Sequence, residues 1–215
     1  MTSFCESLRI ELKERSWEEW PALPGRTNDI RCGVVVPVHE VGGQPTIYAG
    51  ARSKDLGKHA GEVCFPGGRP EAGDENLWAT AVREAKEELS IEGLEKLGRL
   101  SSVPLYTSDY RLEPYIAALD CGVQPVADGQ EIVEVLPIEL RSWFSRSHIS
   151  GIPWMSDKGE EHLSPVFEVG DYLMFGGTAY VFLELLGVVA PLLGGEVPPI
   201  ELGPYRWADI LPELR

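Results

Sequence analysis

Closely spaced cysteines are missing from this chain of 215 residues. Its four cysteines, Cys5, Cys32, Cys64 and Cys121, lie far apart in sequence, so their spacing fits neither a zinc site nor a dense disulfide framework. Scattered reduced thiols are typical of proteins in a reducing compartment. We therefore expect a cytoplasmic location.

Basic residues are also scarce. The chain has 19 Lys and Arg against 34 Asp and Glu, which gives a formal net charge of −15. Such an acidic surface repels the phosphates of nucleic acids and of anionic lipids, so we expect neither nucleic-acid nor membrane binding. It also repels an anionic small molecule, so a substrate of that kind would need local positive charge or bound metal ions.

Long apolar runs are missing as well. The most apolar stretch, residues 180–193, is interrupted by Glu184 and Pro191 and is too short to span a bilayer, which favours a buried helix. The first twenty residues contain no apolar run of the kind that a signal peptide requires. They predict an amphipathic helix at about residues 4–20.

The composition is otherwise that of an ordinary globular domain, with 43% hydrophobic and 25% charged residues. Two β-rich runs, RCGVVVPVHE and QPTIYAGAR, predict a hairpin around residues 41–43, and further strands and helices follow. The chain shows no internal repeat and no dividing linker. We expect one α+β domain with a mixed sheet over residues 1–215, with its core at about residues 30–190 and a Pro- and Gly-rich tail.

The segment FPGGRPEAGDENLWATAVREAKEELSI, residues 65–91, joins a glycine loop to an acidic helix predicted at about residues 75–89. Glu84, Glu87 and Glu88 share one face of that helix, and Asp74 is a candidate N-cap. A separate apolar stripe is predicted to be buried and contains Trp78, Ala81, Val82, Ala85 and Leu89. Neighbouring like charges cost a helix about 0.2–0.5 kcal/mol per pair, so the acidic face needs an explanation beyond helix stability.

The glycine loop supplies that explanation. Gly67 and Gly68 permit backbone angles that turn carbonyl groups towards the helix, and carboxylates with a carbonyl oxygen are the ligands that Mg²⁺ prefers. The sequence therefore predicts a metal-binding face, and bound divalent cations can activate water for hydrolysis. A solvated acidic helix face is the alternative for the acidic residues taken alone.

Residues 67–91 resemble the signature loop and helix of the Nudix hydrolases, with a glycine loop, Arg-Glu, and Glu-Glu after two further residues. The resemblance implies an α/β/α sandwich and hydrolysis of nucleoside-linked diphosphates with Mg²⁺ or Mn²⁺ as cofactor. It implies metal binding by Glu84, Glu87, Glu88 and the carbonyl of Gly68. The catalytic residues that it implies are Glu84, Arg83, which orients the glutamates, and Glu75, which pairs with that arginine.

Two departures from the family pattern are visible. The interval from Gly68 to Glu75 is one residue longer than usual, and Ser90 replaces the usual glycine near the helix end, where a left-handed residue is expected. The general base is open: Glu84 is the first candidate, with Glu131 and Glu134 as alternatives.

The preceding segment, RSKDLGKHAGEVCFPGG, resembles the coenzyme A diphosphatases within this family. Matches to that pattern occur at Arg52, Ser53, Gly61, Phe65, Pro66, Gly67 and Gly68. Gly57 stands where the pattern has a second arginine, with Lys58 beside it. Coenzyme A would give adenosine 3′,5′-bisphosphate and phosphopantetheine. We expect Arg52, Lys58 and Arg69 to contact this small nucleotide substrate. ADP-ribose or a dinucleotide is the near alternative, and a non-catalytic regulatory domain is the distant one.

Overall fold

The computed structural model describes residues 3–56, 59–120, 122–156 and 159–211. The helices are α1 (Ser3–Glu14), α2 (Leu77–Leu89), α3 (Gly176–Leu193) and α4 (Trp207–Ile210), with a 3-10 helix at Arg141–Ser145. The strands are β1 (Ile30–Val41), β2 (Gln44–Arg52), β3 (Val63–Cys64), β4 (Gly67–Gly68), β5 (Glu95–Arg99), β6 (Val103–Pro104), β7 (Tyr110–Ala118), β8 (Ile132–Glu139), β9 (Ile149–Met155), β10 (Glu161–Val169), β11 (Tyr172–Met174) and β12 (Ile200–Leu202).

The strands form two sheets. The larger has eight strands, with β3-β2-β1-β7-β5 as its main order; β4 pairs with β1, β6 with β7, and β8 with β2. Strands β1 and β7 are parallel, and the other pairs of this sheet are antiparallel. The smaller sheet has the order β11-β10-β9-β12. The predicted mixed sheet is confirmed, and a second sheet accompanies it.

Strand β1 is buried on both faces, which places helices on either side of the larger sheet. Its Val34, Val36 and Val38 pack into a core shared with α1, α3 and the smaller sheet. Val35 points the other way, into a second core formed with the apolar stripe of α2. This layering is the predicted α/β/α sandwich, with α2 on one face of the larger sheet and α1 and α3 on the other.

The hairpin between β1 and β2 turns at Gly42 and Gly43, which have φ of 57° and 82°. Two consecutive residues with positive φ make the tight hairpin turn that glycines favour, so the predicted hairpin is confirmed. Further along β1, a Cβ on Gly33 would lie 2.0 Å from the carbonyl oxygen of Leu77. The first turn of α2 therefore rests directly on the backbone of β1.

The N-terminal helix ends at Glu14, six residues before its predicted end at residue 20. The chain after it runs across the larger sheet: Ser102 donates its N–H to the Glu18 carbonyl at 2.8 Å, and the Arg111 guanidinium donates to the Trp20 carbonyl at 2.8 Å. Trp20 also precedes Pro21, and a residue before proline disfavours helical angles. Tertiary hydrogen bonds thus replace helix in this segment.

Among the described helices, α3 is long and apolar enough to cross a membrane by length and composition. Half of its apolar window is buried, and Phe182 packs edge-to-face on both Trp143 and Phe167. It is thus the predicted buried helix, although it is longer than expected and contains Pro191 in its last turn. The run Asp157-Lys158-Gly159 in the sequence also predicts a hairpin turn, but Asp157 and Lys158 lie outside the described residues.

Candidate functional site

The glycine loop lies flat against β1 at the centre of the larger sheet. Gly67 and Gly68 pair with Val34 and Gly33, and Val35 donates its N–H to the Pro66 carbonyl at 3.0 Å. A Cβ on Gly67 would lie 2.6 Å from the Gly33 carbonyl oxygen. Only glycine fits at this position without moving backbone, so the loop is fixed relative to the sheet.

Helix α2 begins at Leu77, capped by the Asn76 side chain, which accepts the Ala79 N–H at 3.1 Å. The prediction of Asp74 as the N-cap is therefore wrong. At the other end, Ser90 has φ 54° and ψ 31° and donates its N–H to the Lys86 carbonyl at 3.1 Å. Ser90 therefore adopts the left-handed conformation although it replaces the usual glycine.

Glu84 lies against the glycine loop. A Cβ on Gly68 would be only 2.1 Å from the Glu84 carboxylate oxygen Oε1, so the side chain occupies space that any residue other than glycine would fill. Burial raises the pKa of Glu84, and the nearby guanidinium of Arg83 opposes that shift. The carboxylate is thus half-desolvated and held at the turn where carbonyl groups approach α2.

Glu88 is the most deeply buried acid of the helix, at 5% exposure. Its carboxylate accepts the Gly67 N–H at 3.2 Å. Burial, together with the negative charges of Glu84 and Glu131, raises the pKa of Glu88 to about 8. A charged Glu88 needs a nearby cation, because burying an unpaired carboxylate is costly.

Arg83 joins the acids to the glycine loop. Its Nη1 lies 2.8 Å from Glu87 and 3.0 Å from Glu84, and its Nη2 donates to the Arg69 carbonyl at 3.0 Å. The same guanidinium contacts the Asp74 carboxylate at 3.2 Å. A planar fork with several donors is what this arrangement requires.

The structure gives Arg83 a different acidic partner from the one predicted. Glu75 is exposed, and Asp74 occupies the place beside Arg83. The sequence contained the signal for this: the interval from Gly68 to Glu75 is one residue longer than usual, so Asp74 stands at the usual distance from the loop. Glu87, predicted to share the metal face, is exposed and turned towards Arg83.

Glu131 is brought beside this site by the loop before β8. Its carboxylate lies 2.5 Å from Nη1 of Arg52, and its charge raises the pKa of both Glu84 and Glu88. Glu134, the other candidate base, pairs across the sheet with Ala51 and accepts a hydrogen bond from the Tyr172 hydroxyl at 2.8 Å. Ala51 packs in the core opposite α2, so Glu134 faces away from the acids of α2.

The predicted substrate contacts separate in the structure. Arg52 is 19% exposed and lies at the end of β2, beside Glu131 and Cys64, and its buried Nε has no hydrogen-bond partner among the described residues. Arg69 is exposed at the rim, next to the glycine loop. Lys58, like the neighbouring Gly57, lies outside the described residues.

The oxygen donors of α2 are of the kind that a divalent cation prefers, although the side chains do not converge on a common point. Within the described ranges, no group of three His, Cys, Asp or Glu side chains is arranged to hold a metal ion. Glu84 and Glu88 nevertheless stand one turn apart and both face the glycine loop, and the pKa of each is raised. A hard cation between them would remove the repulsion and the desolvation that cause those shifts.

The sequence profile of the NUDIX domain family matches residues 30–167. The chain therefore belongs to the Nudix family and is a Nudix hydrolase. Members of this family act on nucleoside diphosphate-linked substrates and generally use divalent metal ions. Nudix hydrolase NudL from Photorhabdus laumondii, itself uncharacterized, is 31% identical over 145 residues, which cover 66% of this chain and 76% of that protein. NudL from Yersinia pestis is 32% identical over 120 residues, 54% and 59% of the two chains.

Several solved structures have a similar fold. The NUDIX domain of Shewanella oneidensis NrtR, complexed with ADP ribose, has a TM-score of 0.41 and 16% identity over 66% of this chain and 86% of that one. An Ap4A hydrolase from C. elegans has a TM-score of 0.42 and 19% identity, covering 51% and 80%. A MutT/nudix family protein from Enterococcus faecalis has a TM-score of 0.49 and 14% identity, covering 89% and 76%. These likenesses indicate no substrate for this chain.

Proposed function

We propose that the protein hydrolyses coenzyme A or a close derivative, giving adenosine 3′,5′-bisphosphate and phosphopantetheine. The observation that carries the proposal is the path of the segment between Arg52 and Gly68, whose sequence resembles the coenzyme A diphosphatases. One end of that segment places Arg52 beside Glu131, and the other end places Gly68 against Glu84. The residues of the resemblance thus border the acids of α2.

We propose Mg²⁺ or Mn²⁺ as the cofactor, held by Glu84, Glu88 and the carbonyl of Gly68, with Glu87 joining when it leaves Arg83. When bound, such ions lower the pKa of a coordinated water and neutralise charge on the diphosphate. They also counter the repulsion between an anionic substrate and a chain of net charge −15.

The side chains of this protein then have separate roles. Glu84 is the proposed general base, because its half-buried carboxylate lies against the glycine loop at the proposed metal position. Arg83 fixes Glu84 and Glu87, with Asp74 as its anchor in place of Glu75. Arg52 is the proposed contact for a substrate phosphate, since its guanidinium lies at the end of β2 beside Glu131. Arg69 at the rim and Lys58 are further proposed contacts.

Hydrolysis of ADP-ribose or a dinucleotide is the second candidate. It is favoured by Gly57, which stands where the coenzyme A diphosphatase pattern has an arginine. A non-catalytic binding domain is the distant candidate, and the intact set of Arg83, Glu84, Glu87 and Glu88 disfavours it, because binding alone does not require all four.

A substrate panel tests the proposal. We expect a higher kcat/KM for coenzyme A than for ADP-ribose or a diadenosine polyphosphate in Mg²⁺. A charge-assisted contact contributes about 1.5–3 kcal/mol, so Gly57→Arg should lower KM for coenzyme A by roughly 10- to 100-fold. The effect should be smaller for dephospho-coenzyme A, which lacks the ribose phosphate. The proposal fails if ADP-ribose or the dinucleotide is the better substrate and Gly57→Arg changes neither.

We also propose a single domain over residues 1–215 that acts in the cytoplasm. The tail is packed rather than separate: β12 pairs with β9, and the Trp207 indole N–H donates to the Pro153 carbonyl at 3.2 Å. Cys32 and Cys64 are free thiols, as a reducing compartment would keep them. Limited proteolysis tests the domain assignment. A single domain should give no stable fragment that ends near residue 190.

A further inference from the structure

The turn that leads into β8 is organised by one carboxylate. Asp128 accepts the backbone N–H of Ile132 at 2.8 Å and that of Glu131 at 3.1 Å. Gly129 closes the turn with φ 75°, and its N–H donates to the Ile132 carbonyl at 2.9 Å. Although burial opposes it, these N–H donors lower the pKa of Asp128, so the charged form holds the turn.

The same turn is attached to the end of α2. Asp128 donates its own N–H to the Glu88 carbonyl at 3.1 Å, and Val126 donates to the Leu89 carbonyl at 2.8 Å. The last carbonyl groups of a helix have no partner within the helix, so the loop satisfies two of them. Asp128 is therefore bonded on one side to the backbone of Glu88 and on the other to the backbone of Glu131.

Glu131 has two further contacts, both at the end of β2. Its side chain pairs with Arg52 at 2.5 Å, and its carbonyl accepts the Ser53 N–H at 2.8 Å. Under the proposed function, Arg52 binds a phosphate of the substrate, and the phosphate then competes with Glu131 for the guanidinium. Glu131 loses its side-chain partner at that moment, while the bonds from Asp128 to its backbone are unaffected.

We infer that Asp128 is a positioning residue, which holds Glu131 beside Glu88 when the substrate engages Arg52. Glu131 then acts as an additional carboxylate of the site, and its distance from Glu88 is set by the turn rather than by the ion pair. This inference rests on the proposed function for its catalytic part. Its second part, that Asp128 and Glu131 act on the metal site as one unit, holds without a substrate.

A double-mutant cycle with Asp128→Ala and Glu131→Gln tests the inference, with kcat, KM and the calorimetric affinity for Mn²⁺ as readouts. We expect Asp128→Ala to lower kcat about tenfold or more with little change in KM, and to weaken Mn²⁺ binding. Asp128→Asn, whose single amide oxygen can accept only one of the two backbone N–H groups, should lower kcat by less than Asp128→Ala does. In the Glu131→Gln background, Asp128→Ala should have no further effect on kcat or on Mn²⁺ affinity.

A matched control is Asp109→Ala, which removes a loop carboxylate that accepts the Thr27 N–H at 2.9 Å near the start of β7. It should leave all three readouts at wild-type values. If Asp128→Ala does not fold, Asp128→Ser replaces it in the cycle with the same expectations.

The cycle separates failure of the inference from failure of the proposed function. Additive effects of the two substitutions on Mn²⁺ affinity, or wild-type values for Asp128→Ala, overturn the inference. If the wild-type protein hydrolyses no diphosphate but the effects on Mn²⁺ affinity are not additive, the proposed function fails and the positioning role stands.

Discussion

Replacing Gly68 by alanine should separate catalysis from folding more cleanly than any substitution of an acid. The new Cβ would lie 2.1 Å from Glu84 Oε1 and 2.7 Å from its Cδ, and its nearest contacts are all with this one side chain. The carboxylate must retreat by roughly 1.3 Å, the difference between 2.1 Å and the 3.4 Å of an ordinary contact. Because Glu84 is the end of a flexible side chain, this movement costs the fold little.

Catalysis should respond strongly to the same displacement. A misplacement of about 1 Å in a reacting group can cost about 100-fold in rate, equivalent to roughly 2.7 kcal/mol of transition-state free energy. We therefore expect Gly68→Ala to lower kcat about 100-fold in a steady-state assay of diphosphate hydrolysis. Its free energy of unfolding should stay within about 1 kcal/mol of wild type in urea.

Two further glycines provide controls. Gly187 is exposed within α3, and a Cβ there meets nothing within 4 Å, so Gly187→Ala should stabilise by about 0.5–1 kcal/mol with normal activity. Gly67→Ala should destabilise the fold, because its Cβ meets the Gly33 backbone. The reasoning is refuted if Gly68→Ala retains wild-type kcat, or if it loses activity only in proportion to unfolding.

Three other substitutions have defined outcomes. Arg83→Lys keeps the charge but loses the planar set of donors, so kcat should fall about 10- to 100-fold with a smaller change in KM. A normal kcat would show that Arg83 contributes only its charge at the surface. Ser90→Gly should relieve the left-handed angle and raise stability by about 1 kcal/mol, seen as a Tm increase of about 2–4 °C; an unchanged Tm would show that Ser90 is not strained. In EDTA, the pKa of about 8 at Glu88, against 4.5 when unfolded, means that the native state favours the protonated acid. The contribution of Glu88 to the free energy of unfolding should be fully present below pH 4.5 and be lost as pH rises through 8, a loss on the order of 5 kcal/mol by pH 9. Glu88→Gln should remove this pH dependence. Equal slopes of unfolding free energy against pH for the two proteins would contradict the prediction.

Local features were predictable from the sequence because each depends on residues that are close along the chain. Gly42 and Gly43 specify the hairpin turn, and the apolar stripe of α2 specifies the face that packs on β1. The end of α2 near Ser90 was also visible in the sequence, although the replacement of the usual glycine left the conformation of Ser90 open. The α/β/α layering followed from the family resemblance of residues 67–91.

Features that depend on tertiary contacts were not predictable. The length of α1 is set by hydrogen bonds from Ser102 to Glu18 and from Arg111 to Trp20, residues that lie far apart in sequence. Glu131 and Glu134 could not be ranked as candidate bases, because their faces depend on pairing of β8 with β2, where the register shifts between Ala51 and Arg52. Glu75 was assigned as the partner of Arg83 from the family resemblance, whereas the structure pairs Arg83 with Asp74, which stands at the usual distance from Gly68.

The central claim is that the acids of α2, together with a divalent cation, hydrolyse a nucleoside-linked diphosphate. The most direct test is the initial rate of coenzyme A and ADP-ribose hydrolysis in limiting Mg²⁺, for wild type, Glu88→Gln and the control Glu161→Gln, an exposed residue of β10. We predict turnover by wild type and by the control, its loss in EDTA, and a rate at least about 100-fold lower for Glu88→Gln. Full activity of Glu88→Gln in limiting Mg²⁺, or wild-type turnover that persists in EDTA, would contradict the account.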